Sequence, residues 1–307
     1  MMNVKYNISK IVLFVILVTF SKSCVITQKI GNDGVVLKEN KIFIDGELLK
    51  KDSLTPLLVQ KKNNYLFGIP ISAFIYETTN NNPDSIFNNW LNKYPKRSKR
   101  LSKIFSEKQV SQIRKYIKDF NNWKKRNSER IEIIDTIKNY ISSENLKSYL
   151  DNNGYFDSKI TSKIELDLKN KNFGNVIYNI QRGNQYYLDS IKTDIKSNDL
   201  DSIYESNKSK TFLKINDSFN TLNFERERNR LYELFKNSGF YNFQINSISF
   251  EVSRDTTGLD LRIPVLINID DKNSTNQKKY KIHKIGKVNL YTDDPESIGT
   301  NKKITEF

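Results

Sequence analysis

The chain has 307 residues, enough for two or three modest domains. Hydrophobic residues make up 37% and charged residues 28%, and the 18 Phe and 16 Tyr need a core, which excludes a disordered chain. One Cys and one His exclude an internal disulfide and a structural zinc site built from Cys and His.

The first segment is a targeting sequence. Lys5 and Lys10 precede the apolar run 11–18, a basic region followed by an apolar core. That run is shorter than the ~20 residues a membrane-spanning helix needs, so residues 1–23 read as a signal peptide and imply export. Ser23 then precedes Cys24, the lone cysteine, as in a lipoprotein cleavage site where the thiol takes a diacylglycerol. Acyl chains anchor by about 0.8 kcal/mol per buried methylene. Ser21 and Lys22 depart from the usual pattern. Ordinary cleavage that leaves a free Cys24 is the alternative.

After a tether over 24–35, a strand is expected over 36–44 and a helix near 53–60. A basic helical insertion follows over about 83–126. Its densest run carries Lys96, Arg97, Lys99 and Arg100 beside Trp90 and Tyr94. Such a run either touches phosphates of nucleic acid or lipid headgroups, or is the solvated side of a helix boundary. The net charge of +15 poses the same choice for the whole chain. No nucleic-acid motif accompanies it, so nucleic acid is not favoured.

An internal repeat organises the rest. Leu146, Tyr149, Leu150, Gly154, Tyr155 and Phe156 match Leu231, Leu234, Phe235, Gly239, Phe240 and Tyr241 at a constant offset of 85. In each copy the spacing i, i+3, i+4 predicts a helix face, and Gly marks its end. Alternating runs then predict two strands: 160–168 and 176–180 in the first copy, 248–252 and 259–269 in the second. Pro264 lies within the last run and implies an edge or a bulge. Before the second copy come a strand over 187–195 and helices over 201–206 and 221–236. The order is β-α-α-β-β, an α+β fold with two helices over one face of a small sheet.

This pattern resembles the POTRA repeat of BamA/TamA-type outer-membrane assembly factors. The likeness lies in the repeated helix–Gly-aromatic–strand and in the junction VIYNIQRGNQYYLDSI over 176–191. Ser23-Cys24, KENKIFIDG at 38–46, NPDSIFNNWLNKYPKRSKRL at 82–101 and SEKQV at 106–110 resemble the TamA-like lipoprotein branch of Bacteroidetes-type bacteria. So do NGYFDSKI at 153–160 and ERERNRLYELFKNSGFYNFQ at 225–244. The expected division is a first POTRA-like domain over 36–183, interrupted by the insertion, and a second over 184–270. Residues 271–307 are then a linker and an incomplete third unit begun by Tyr280, Ile282, Ile285 and Val288. Relatives continue into a β-barrel. No barrel strands follow here, so the chain is expected to be a fragment or a barrel-less version.

The resemblance implies a scaffold for outer-membrane protein assembly or translocation, not an enzyme, with no cofactor and no metal. It implies an outer-membrane, lipid-anchored, periplasm-facing location through Cys24. The implied partners are unfolded outer-membrane proteins and a TamB-like periplasmic protein. Clients would add as a strand to the second strand of each copy. The candidate edge residues are Lys159, Ile160, Ile164 and Leu166, then Gln244, Ile245, Ile248 and Phe250. The bland alternative is an edge capped by neighbouring domains. The competing functions are a secreted nucleic-acid-binding protein and a surface-ligand-binding lipoprotein. The single His283 is expected as a half-exposed strand residue.

Overall fold

The computed structural model describes residues 34–50, 53–65, 70–273, 275 and 278–288. The signal peptide and Cys24 lie outside the described residues. In chain order the elements are β1 (Val36–Ile44), β2 (Glu47–Leu48), α1 (Ile71–Glu77), α2 (Pro83–Asn92), α3 (Pro95–Ile104), α4 (Glu107–Asn127) and α5 (Thr136–Asn152). Then come β3 (Lys159–Leu166), β4 (Phe173–Gln181), β5 (Tyr187–Ile195), α6 (Asn198–Asn207), α7 (Thr221–Asn237), β6 (Ile248–Val252) and β7 (Arg262–Ile269). They fall into two compact units. One holds the residues up to Ser148 with Lys159–Gln181, and the other holds Tyr149–Ser158 and everything from Arg182 onward.

The first unit is built on a sheet of order β2-β1-β4-β3. β1 runs parallel to β4, and β3 is antiparallel to β4. Val36, Leu37 and Ile42 from β1, and Val176, Tyr178 and Ile180 from β4, are buried. Leu146 of α5 is fully buried, as its helical spacing predicts. The insertion over 83–126 is three helices, α2 to α4. Asn82 caps α2 by accepting from the Ser85 N–H, and Pro83 occupies the first turn. Ser106 and Gln109 form a reciprocal capping box at the start of α4, and Lys124, Lys125 and Arg126 close it where the helix dipole favours cations.

The helix expected over 53–60 is a single 3-10 turn, Thr55–Leu57. Pro56 removes a backbone donor there. The chain beyond it is extended and anchored by two buried amides. Gln60 donates to the Glu132 carboxylate at 2.6 Å and the Ile133 carbonyl at 2.8 Å, and accepts from the Asp135 N–H at 2.8 Å. Asn63 donates to the Arg130 carbonyl at 2.7 Å and accepts from the Glu132 N–H at 2.8 Å. Leu54 and Leu58 are buried four residues apart, which mimics a helix face in sequence.

The second unit has the sheet order β5-β7-β6, with β5 parallel and β6 antiparallel to β7. Both units therefore place the first strand beside the last and the second-to-last at the edge. α6 and α7 supply Leu200, Tyr204, Phe224, Leu231 and Phe235 to one core with Ile263, Val265, Ile267 and Ile269. The β-α-α-β-β order is an α+β fold, as the repeat predicts. Inside this core Glu227 is fully buried. It holds Arg230 through two bonds, at 2.6 and 3.0 Å, and accepts from the Phe212 N–H at 3.0 Å.

Pro264 lies in the central strand, not at an edge, and its nitrogen points toward the β6 side. The β5–β7 register slips between Leu188 and Ile191, and on the other side β6 ends at Val252 opposite Val265. A residue without an N–H fits there, just past the end of β6. Among the described residues after Ile269 there is no strand. Lys272 and Lys279 form one bridge, and Tyr280 packs on Phe243 with ring centroids 4.8 Å apart. His283 is exposed and outside any strand, a correction to the expected strand position. No helix among the described residues is long and apolar enough to cross a membrane.

Candidate functional site

Among the described residues, β3 and β6 each pair with one neighbour only and form one border of their sheets. The other borders are blunted. Residues 132–134 bond to the start of β1, where the Leu37 N–H donates to the Glu132 carbonyl and the Ile134 N–H to the Val35 carbonyl. β2 covers its end through a two-residue hairpin. Leu188 at the start of β5 exchanges bonds with Asn216 and Asp217.

Hydrogen-bond phase decides which backbone groups of β3 face outward. The Asp167 N–H donates to the Phe173 carbonyl at 2.8 Å, so that pair is a bonded one. Bonded and non-bonded pairs alternate along an antiparallel ladder. In the observed register, Lys159, Thr161, Lys163 and Glu165 then bond to β4, and Ile160, Ser162, Ile164 and Leu166 point their N–H and C=O groups away from the sheet. The side chains of this second set stand on the core side, beside Ile180, Tyr178 and Val176. With no described strand beyond this border, Ile164 and Leu166 are 42% and 44% exposed.

β6 repeats the arrangement over a shorter length. The Asp270 N–H donates to the Ser247 carbonyl at 2.9 Å, so Ile248, Phe250 and Val252 carry the outward groups. Ile248 is buried, and Phe250 packs edge-on against Phe224 with centroids 5.4 Å apart. Gln244 and Ile245 do not belong to this edge. Gln244 precedes a 3-10 turn, Ile245–Ser247, that takes the backbone out of strand geometry. The structure thus brings Lys159, Ile160, Ile164 and Leu166 together on one strand and Ile248 and Phe250 on another.

Charged groups bracket both edges. At the end of β3, the Lys38 ammonium donates to the Asp167 carboxylate at 2.5 Å and holds its pKa below the usual carboxylate range. In the turn after β6, the Thr257 hydroxyl, then the N–H groups of Thr257 and Asp260, bond the Asp255 carboxylate and lower its pKa to about 2. Both carboxylates accept as in Asx turns and fix where their strands turn back.

Lys96, Arg97, Lys99 and Arg100 all lie on α3. Arg97 stacks over the rings of Tyr94 and Trp90, 4.3 and 5.0 Å from their centroids, and donates to the Trp90 carbonyl at 3.0 Å. Lys96, Lys99 and Arg100 are exposed. No group of three or more His, Cys, Asp or Glu side chains able to hold a metal ion occurs among the described residues.

No protein-family model matches the chain, and no curated protein is significantly similar to it. Among solved structures, the chain is similar to the POTRA3-5 segment of BamA from Haemophilus influenzae, at 12% identity and a TM-score of 0.33, over 83% of this chain and 82% of that one. It is similar to BamA from Haemophilus ducreyi lacking POTRA domains 1-3, at 13% identity and a TM-score of 0.30, over 48% of this chain and 25% of that one. A third likeness is to POTRA1-3 of the periplasmic domain of Omp85 from Anabaena, at 12% identity and a TM-score of 0.23, over 45% of this chain and 52% of that one.

Proposed function

We propose that this chain is a periplasm-facing POTRA scaffold of an outer-membrane protein assembly or translocation factor, which receives unfolded barrel strands by strand addition and performs no catalysis. The observation that carries this reading is the open border of β3. Four alternate residues, Ile160, Ser162, Ile164 and Leu166, offer outward backbone donors and acceptors, with the Ile164 and Leu166 side chains half-exposed beside them. An incoming extended segment gains ladder hydrogen bonds from any sequence and apolar cover from alternate side chains, which suits a varied pool of amphipathic strands. β6 offers a second, shorter border of the same kind. Acylation at Cys24, membership of the TamA-like lipoprotein branch and a TamB-like partner complete the reading, on the strength of the residues that resemble that branch.

The test is amide NMR of the protein titrated with a ten-residue amphipathic strand from an outer-membrane barrel. The expected shifts centre on residues 160–166, and Ser162→Pro removes them, because proline deletes an outward N–H. Shifts that map elsewhere, or that survive Ser162→Pro, overturn the edge as the client site. Intact mass of protein taken from host membranes tests the anchor: an unmodified Cys24 would refute it.

A further inference from the structure

The three-helix insertion in the first unit concentrates the charge of the chain. Residues 83–127 hold thirteen Lys or Arg and three Asp or Glu, a net +10 of the total +15. The same segment leaves large apolar side chains in solvent. Ile104 is 73% exposed, Tyr116 70%, Phe120 60% and Trp123 51%. On α4, Tyr116, Phe120 and Trp123 fall on one side of the helix at the spacing i, i+4, i+7, and the last two rings stack at 5.9 Å. The helices also fail to close on one another. Ile86, Phe87, Trp90, Leu101, Ile113 and Ile117 line a cavity of about 360 Å³ between them. A soluble monomer rarely leaves this much apolar surface uncovered.

We propose that α2, α3 and α4 form a docking surface for an anionic bilayer, with the aromatic and aliphatic side chains seated at the headgroup–acyl boundary and the basic side chains on lipid phosphates. Two features select this occupant. The charge is complementary to anionic headgroups, where each Lys or Arg near the surface contributes about 1 kcal/mol. The aliphatic Ile104 and Ile117 gain from hydrocarbon and gain nothing from bases or phosphates, which separates a bilayer from a nucleic acid. Trp, with an apolar body and a polar N–H, settles at this depth, and the chain has only two Trp, Trp90 and Trp123, both in the insertion. The inference is independent of strand addition at β3.

The two tryptophans make the test local. Intrinsic fluorescence of the full chain carrying Cys24→Ser, which cannot be acylated, is followed as vesicles are added. Vesicles of phosphatidylglycerol mixed with phosphatidylcholine should shift the emission to the blue, and brominated acyl chains should quench it. Phosphatidylcholine alone should do neither. The combined variant K96Q, K99Q and R100Q should lower apparent affinity about 100-fold, and Phe120→Ser with Ile104→Ser should reduce the quenching. All five positions are exposed, so circular dichroism and melting should match the parent. No shift with anionic vesicles, an equal shift with phosphatidylcholine alone, or a response to duplex DNA or RNA in place of vesicles would each overturn the proposal.

Discussion

The backbone N–H of His283 donates to the carbonyl of Gly239 at 2.8 Å, and the same bond joins Tyr186 to Gly154 at 3.0 Å. The likeness extends to the side chains. Tyr241 meets His283 edge-on at 6.2 Å, and Phe156 meets Tyr186 edge-on at 5.3 Å. Gly154 and Gly239 have φ of +82° and +98°. In both copies the residue after that Gly donates back into the helix, Tyr155 to Leu150 and Phe240 to Phe235. The offset of 85 is therefore repeated in the bonds that close each helix, while the donors to the two glycines, Tyr186 and His283, stand 97 residues apart.

Gly154→Ala should destabilise the protein by at least about 1–2 kcal/mol, the left-handed backbone cost alone. A Cβ there would also lie 3.1 Å from Phe219 and 3.2 Å from the Tyr186 carbonyl. Urea unfolding checks this, and an unchanged midpoint would contradict it.

Glu227→Ala should cost about 3–5 kcal/mol, because Arg230 is left charged and mostly buried without its partner. Replacing both residues with apolar side chains of similar size should cost much less. The comparison of single and double variants by denaturant titration distinguishes a misplaced charge from a lost attraction.

Gln60→Ala should cost about 1–3 kcal/mol, since it takes the partner from the Asp135 N–H and the Ile133 carbonyl in part-buried positions. Gln60→Glu should also destabilise, because it removes the donor to Ile133 and brings a second carboxylate against Glu132. Thermal melts of the two variants provide the readout.

Thr161→Pro and Ser162→Pro should differ sharply although they are neighbours. The first removes an N–H that bonds β4 and should destabilise the sheet. The second removes one that faces outward and should leave the melting temperature within a few degrees. Equal losses would mean that the phase deduced for β3 is wrong.

The Asp255 carboxyl should titrate near 2 by carbon NMR. Its folded pKa lies below the ordinary value of 3.8, so its contribution to stability is complete above that value and fades as pH falls through about 2. Thr257→Val should move the midpoint upward, since the Thr257 hydroxyl is the largest cause of the shift.

Strands with one buried face were legible because alternation follows directly from the pleat; Arg262–Ile269, buried at every second residue through Ile263, Val265, Ile267 and Ile269, is such a case. Gly154 and Gly239 were legible because few residues tolerate their φ. The Thr55–Leu57 turn was not, because Leu54 and Leu58 at i, i+4 satisfy a helix template while Gln60 and Asn63 do their work through partners 66 or more residues away. Hydropathy assigns such amides to the surface. Ile245 extended the alternation of β6 backward, and only backbone geometry shows the 3-10 turn. The place of Pro264 depends on where β6, a different strand, ends, and no local pattern encodes it.

The segment Tyr149–Ser158 belongs to the second unit, yet Lys159–Gln181 of the first unit follows it in the chain. A gene fragment that starts at residue 184 would encode a second unit without Phe156, whose ring packs on Phe219 at 5.0 Å. The ribosome delivers part of the second unit before the first has its last two strands. Neither unit is a cassette that a single recombination event can move intact, so shuffling of these repeats would have to exchange the pair, or cut inside α5 and carry β3 and β4 along.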